Sequence, residues 1–335
     1  LADFGFNRLN VHQSIQKFSD IYHFLEHIKL TAGSHSSAVF VSIFKGAVMK
    51  YSEVFQPIHN SLSELPHWIS DRILQQIKQL TCYEPVIGIM GKTGAGKSSL
   101  CNALFAGDIS PVSDVVACTR DPLRFSLQVG ERVMTLVDLP GVGESSLRDA
   151  EYTALYHEQL PQLDLVLWLV KADDRALAVD EHFYREVIGE AYRHKVLFVI
   201  SQSDKVEPTC GGEKLSTEQK QNISRKICLM HELFQPVNPV CAVSIRLQWG
   251  LRVMAERMIR CLPREASSLV AVQLSAPLRT DVINKKARDD FGETVGSVLD
   301  TASSMPLIPA PVRTVIQSVR DIVVSVARAV WNFFF

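Results

Sequence analysis

Residues 87–100 read IGIMGKTGAGKSSL, and no other stretch narrows the possible folds as far. A short apolar run ends at Met90, a glycine-rich loop follows, and Lys97 and Ser98 open a helical pattern. The loop matches G-x-x-x-x-G-K-[ST], with Gly91, Gly96, Lys97 and Ser98 at the fixed positions. Glycines let backbone N–H groups turn inward and approach phosphate oxygens. Gly91, Lys92, Thr93, Gly94, Ala95, Gly96, Lys97, Ser98 and Ser99 are therefore the candidate nucleotide contacts of this loop. Lys97 supplies positive charge for the outer phosphates and Ser98 a hydroxyl for Mg²⁺. The helix that begins here aims its N-terminal partial positive charge at the same anion.

The flanking sequence reads as an α/β domain. Ile69, Ile73, Ile77 and Leu80 recur at helical spacing, so 65–82 is expected to be a helix leading into the first strand, 85–90. The helix after the loop runs to about Phe105, and 106–122 reads as a loop. Leu123, Phe125, Leu127 and Val129 alternate with polar residues, and 133–139 returns as a second strand after Gly130-Glu131, giving a hairpin. Buried-type strands follow at 165–170, 196–200 and 240–244, separated by helical patterns. One of these opens with the capping box Ser216-Thr-Glu-Gln219. Such alternation predicts three layers: a mostly parallel sheet flanked by helices. The expected organisation is an N-terminal extension (1–64), the leading helix (65–82), the α/β domain (83–262) and a helical C-terminal region (263–335).

Composition limits the alternatives. An apolar fraction of 47% over 335 residues supports a sizeable core, and a net charge of −1 gives no bulk attraction to nucleic acid or acidic lipid. Seven scattered cysteines without C-x-x-C read as reduced thiols in a cytoplasmic protein. No run reaches the roughly 18 apolar residues of a membrane span; the best, 38–49, is broken by Lys45. The chain opens on Leu1 and its first methionine is Met49, so 1–48 need not be native. His12, His23, His27 and His35 lie there without the companions of a metal site.

Residues 263–304 read as helical and polar, and MPLIPAP (305–311) breaks the chain. The final helix, 312–335, carries Val312, Val315, Ile316, Val319, Ile322, Val323, Val326 and Val330 on one broad face. Two fates are open to it: docking on the domain, favoured by the few cations on its polar face, or peripheral contact with a membrane or partner.

Ligands of open α/β sheets sit beyond the carboxyl ends of the strands, and four further candidates fall there. Asp138-x-x-Gly141 follows the second hairpin strand, where the carboxylate can reach the Mg²⁺ shell, through water, and the glycine N–H a γ-phosphate. Thr119 lies between the phosphate loop and the hairpin, where a threonine would complete the Mg²⁺ shell. Ser201-Gln-Ser-Asp204 follows the strand 196–200, at the place where GTPases carry [NT]-K-x-D, whose carboxylate accepts from guanine N1 and N2. Ser244 ends the next strand, where a backbone N–H meets the guanine oxygen. Asp173-Asp174 reads as a solvated turn and Lys285-Lys286 with Arg288 as a solvated helix face.

Over about 83–262, GKTGAGKSSLCNALF, then CTR, then DLPGVGES resemble the Era/TrmE group of translation-factor-type GTPases, and within it the YfjP-type members. The resemblance implies a P-loop GTPase domain that binds GTP or GDP with Mg²⁺, and a catalytic set of Lys97, Thr119 and Gly141. The metal set would be Ser98, Thr119 and Asp138, and Ser201, Gln202, Asp204 and Ser244 would contact the base. The sequence departs from the family pattern in places. Ser201 replaces Asn or Thr, Gln202 replaces Lys and Ile245 replaces Ala. Val142 stands where Ras-like proteins place a water-orienting Gln. Gly94 replaces the Asn that relatives associate with potassium, which leaves K⁺ open. The expectation is a slow GTPase switch. Its alternatives are a ribosome- or RNA-associated or tRNA-modifying GTPase, a septin- or dynamin-like GTPase that self-associates through the nucleotide face or meets membranes, and an ATPase.

Overall fold

The computed structural model describes residues 55–111, 122–130, 132–142, 146–209 and 212–335. Continuous apolar runs bury both faces of a strand, and such strands take the middle of a sheet. Three do so here: β1 (Val86–Gly91), β5 (Leu165–Lys171) and β6 (Val196–Ser201), whose residues are almost all buried. The hairpin strands β3 (Leu123–Val129) and β4 (Arg132–Asp138) are only partly buried. With β2 (Asp108–Pro111) and β7 (Cys241–Ala242) they complete a seven-stranded sheet of order β2-β3-β4-β1-β5-β6-β7. β1 runs parallel to β4 and β5, β6 is parallel to β5 and β7, and β3 is antiparallel to β2 and β4.

β2 falls inside the stretch expected to be a loop. Its four residues pair with β3 from Asp108 opposite Gln128 to Pro111 opposite Phe125. A strand this short carries no period-two signal, and its terminal proline is compatible with a sheet edge. β7 is shorter than the expected 240–244, because the chain turns into a tight loop at Ser244.

Side-chain alternation divides the core in two. Leu165, Leu167, Leu169, Leu197 and Val199 face one cluster; Val166, Trp168, Val170, Phe198 and Ile200 face the other. The second cluster is aromatic, with Trp168, Phe198, Tyr184 and Phe234 in mutual ring contact. The first is larger. It joins Phe55 and the helices α1 (Gln56–Ser61) and α2 (His67–Thr81) to the sheet and to the C-terminal helices, in one continuous apolar body.

The remaining helices are α3 (Lys97–Leu104), α4 (Ser146–Gln159), α5 (Ala178–Phe183), α6 (Gly189–Tyr192), α7 (Thr217–Phe234), α8 (Leu251–Cys261), α9 (Arg264–Gln273), α10 (Asp281–Ser304) and α11 (Ala310–Phe334). The polar look of 263–304 is misleading for α9, where Ala266 through Gln273 are all buried. Its alanines and serines allow close packing against β3, β4 and α10. The serine hydroxyls are satisfied: Ser267 donates to Arg264 O and Ser268 to Ala287 O. Backbone bonds from Ala106 N–H to Gln273 O and from Ser275 N–H to Leu104 O fasten this helix to the chain just beyond α3.

α11 docks. Ile316, Val319, Val323, Ala327, Val330, Trp331 and Phe334 are buried, and Trp331 Nε1 donates to Ser268 Oγ at 2.8 Å. Arg320 forks onto Asp300 of α10 at 2.7 and 3.0 Å, and Arg328 bonds Glu293 at 2.7 Å. Both arginines lie across Gly292 and Gly296, where an added Cβ would meet guanidinium atoms at 2.6–2.8 Å. Of the apolar face read from the sequence, Ile322 is the member left exposed. Among the described residues no helix is long and apolar enough to cross a membrane.

Candidate nucleotide site

The phosphate loop leaves β1 at Gly91 and enters α3 at Lys97. Gly91 (φ +151°) and Gly141 allow two backbone segments to meet. A Cβ on Gly91 would lie 2.6 Å from Leu169 O, and one on Gly141 would lie 2.7 Å from Gly91 O. The Asp138-x-x-Gly141 segment therefore abuts the phosphate loop directly. Tyr156, fully buried, braces it by donating to Pro140 O at 2.8 Å. Thr93, Gly94, Ser98 and Ser99 are exposed at the mouth, while Ala95 is buried beneath.

Lys97 Nζ donates to Gly91 O at 3.1 Å and lies 3.6 Å from Asp138 Oδ1. Burial raises the Asp138 carboxyl above its usual range, and Lys97 offsets this only in part. Oδ1 is buried and has no hydrogen-bond partner. An orphaned carboxylate oxygen beside the phosphate loop and the Ser98 helix start fits the all-oxygen donor set of Mg²⁺. Thr119, the other expected ligand, lies outside the described residues. Val142 is buried and apolar.

The other lysine of the loop faces elsewhere. Lys92 Nζ reaches Asp174 Oδ2 at 2.9 Å, Asp180 Oδ2 at 2.8 Å and Ala176 O at 2.7 Å. It ties the loop to the turn after β5 and to α5. Asp180 is only 3% exposed, and burial raises its carboxyl against the pull of Lys92. Asp174 is tucked in as well, not a solvated turn residue. Burial alone would raise its carboxyl, but bonds from Lys92 and the Ala176 N–H hold it below the usual range.

The base end assembles after β6 and β7. Ser201 is buried on the sheet. Gln202 takes the left-handed conformation (φ +54°) and its Nε2 donates to Gly94 O at 2.7 Å, linking this loop to the phosphate loop. Asp204 accepts from Ser244 Oγ on Oδ1 at 2.6 Å and from Arg246 Nε on Oδ2 at 2.8 Å. Burial would raise this carboxyl, but Arg246 and Ser244 hold it below the usual carboxylate range. Gln219, from the capping box of α7, donates to Asp204 O and Val206 O and secures the turn.

The described candidates thus gather along one edge, at the ends of β1, β4, β6 and β7. Asp180 and Arg246 were missed by sequence reasoning, and Asp174 was read there only as a solvated turn. Only Arg246, two residues after Ser244, carried a positional hint. Among the described residues no cluster of His, Cys, Asp or Glu forms a separate metal site.

A family model described as 50S ribosome-binding GTPase matches residues 86–202. YfjP of Escherichia coli (strain K12) is 79% identical over 287 residues, which are 86% of this chain and 100% of YfjP. YkfA of the same strain is 76% identical over 287 residues, again 86% of this chain and 100% of the relative. GTPase Obg of Treponema pallidum (strain Nichols) is 28% identical over 223 residues, 62% of this chain and 54% of Obg. With a phosphate loop, an abutting Asp-x-x-Gly segment and a carboxylate at the end of β6, this chain belongs to the YfjP family, built on a P-loop GTPase domain.

Proposed function

We propose that the protein binds GTP with Mg²⁺, hydrolyses it slowly to GDP and phosphate, and acts as a two-state switch. The observation that supports this reading is that Lys97 stands beside Asp138 while Gln202 ties the phosphate loop to the segment that carries Asp204, whose carboxylate is held ionised by Arg246 and Ser244. Lys97 neutralises charge on the β- and γ-phosphates, and loop N–H groups cradle them. Ser98 and Asp138 would hold Mg²⁺, which supplies further charge neutralisation when bound. Gly141 presents its N–H to the γ-phosphate, so the segment bearing it responds to hydrolysis. Asp204 accepts from the base. No side chain at Val142 can orient water, so intrinsic turnover is slow.

Fluorescent GDP, GTP and ATP analogues titrated against wild type, Lys97→Ala and Asp204→Asn test this. Guanine analogues should bind and ATP should not; Lys97→Ala should lose binding; Asp204→Asn should shift preference towards xanthine nucleotides. Guanine binding untouched by Asp204→Asn overturns the base assignment.

A second reading, association with the ribosome, is favoured by the description of the matching family model alone. Nucleotide-dependent co-sedimentation with 50S subunits tests it; absence from the subunit fractions with GDP, a GTP analogue and no nucleotide would exclude it.

A further inference from the structure

Arg246 holds the Asp204 carboxylate ionised, and the backbone turn that carries it is tightly bonded. The N–H and C=O of Ser244 pair with those of Trp249, both at 2.9 Å, and close a turn over 245–248. Inside it, Leu247 N–H donates to Ser244 Oγ at 3.2 Å, and Gln248 gives both its N–H and its Nε2 to Ile245 O. The turn is seated against β7, because Gly250 (φ +79°) passes so near that a Cβ there would stand 2.2 Å from Ala242 O. Arg246 rides this turn with half of its side chain exposed, and its Nε meets the one oxygen of Asp204 that Ser244 leaves free.

A carboxylate offers about four acceptor positions, so each Asp204 oxygen keeps one lone pair after these two bonds. A guanine base needs both: one oxygen for the ring N1–H and one for the exocyclic amino group. The terminal torsion of Asp is soft. With Ser244 alone, the carboxylate would pivot about Oδ1 and Oδ2 would drift from the amino group. Gln202 Nε2 donates elsewhere, to Gly94 O.

We propose that Arg246 is a positioning residue for base specificity: clamped by the 244–249 turn, it fixes the carboxylate plane of Asp204 so that both oxygens read guanine. The inference rests on the guanine reading of the site. GDP, inosine diphosphate (which lacks the exocyclic amino group) and ADP separate the two ideas in equilibrium titrations. The proteins to compare are the wild type, Arg246→Ala, Arg246→Lys, Asp204→Asn and the double variant Asp204→Asn,Arg246→Ala. In Arg246→Ala, GDP affinity should fall about tenfold, the size of one charge-assisted hydrogen bond. Inosine diphosphate should lose much less, so the GDP-to-IDP preference shrinks. Arg246→Lys should restore part of that preference, which also guards against a folding defect in the alanine variant. Asp204→Asn,Arg246→Ala should bind GDP no worse than Asp204→Asn. An unchanged ratio in Arg246→Ala overturns the proposal, and a larger ratio overturns it by showing that Arg246 competes with the base. Failure of the guanine reading would show elsewhere, as wild type binding GDP no better than ADP.

Discussion

At the phosphate end of the cleft, backbone meets backbone: Gly91 runs against Leu169, and Gly141 runs against Gly91. At the base end, side chains do the joining, with Gln202 reaching Gly94 and Ser244 and Arg246 reaching Asp204. The two ends therefore tolerate change differently. A backbone cradle permits almost no substitution, because any Cβ collides with main chain that cannot move aside. A side-chain network permits exchange of partners while the acceptor stays in place. Ser201, Gln202 and Ile245 depart from the family pattern at the base end, while every fixed position of the phosphate loop is intact.

The largest effect should come from Lys92→Met, which tests whether the phosphate end is also pinned from outside. It strands the buried Asp180 without its cation and leaves Asp174 with Lys226 alone, and breaking a buried pair from one side costs about 3 kcal/mol. Chemical denaturation should show that loss. Adding Asp180→Asn should return much of it, and full stability in Lys92→Met would mean that the pairs contribute nothing. Removing the bridge between the two ends is milder. Gln202→Ala deletes one hydrogen bond to Gly94 O, worth about 1 kcal/mol. GDP and ATP analogues should then weaken alike if the bridge serves the phosphate loop; a loss confined to guanine nucleotides would place Gln202 on the base.

The smallest shift should be a gain. The Asp138 carboxyl is raised by burial, so its ionised form destabilises the ligand-free fold above the ordinary carboxylate range. Asp138→Asn should raise the melting temperature at neutral pH while impairing Mg²⁺-dependent GTP binding. The advantage should shrink as pH falls through the raised pKa, because both proteins are then neutral at that position. A lower melting temperature for the variant at pH 7 would contradict the assignment of Asp138 as a site held ready for a cation.

Much of this molecule was legible in its sequence, for identifiable reasons. Apolar runs at 165–170 and 196–200 read as strands buried on both faces, and they form β5, beside β1, and β6, beside β5. β2 was missed because its pairing depends on β3 and not on its own four residues. The burial of α9 was missed because alanine and serine look polar or neutral in a row, yet suit a helix squeezed between sheet and α10.

By itself the sequence determined the strand–loop–helix unit at Gly91–Ser98 and the order of candidates along the strand ends. Both depend on spacing and on glycine's conformational freedom, which are local properties. Tertiary structure alone decided what the side chains do. Lys92 and Lys97 are five positions apart in one loop, yet one faces the cleft and the other is captured by Asp174, 82 positions away. Asp204 likewise meets Arg246 only because the turn after β7 folds back towards the end of β6. Charge partners are chosen by distance and burial, and those exist only once the sheet has brought its loops together.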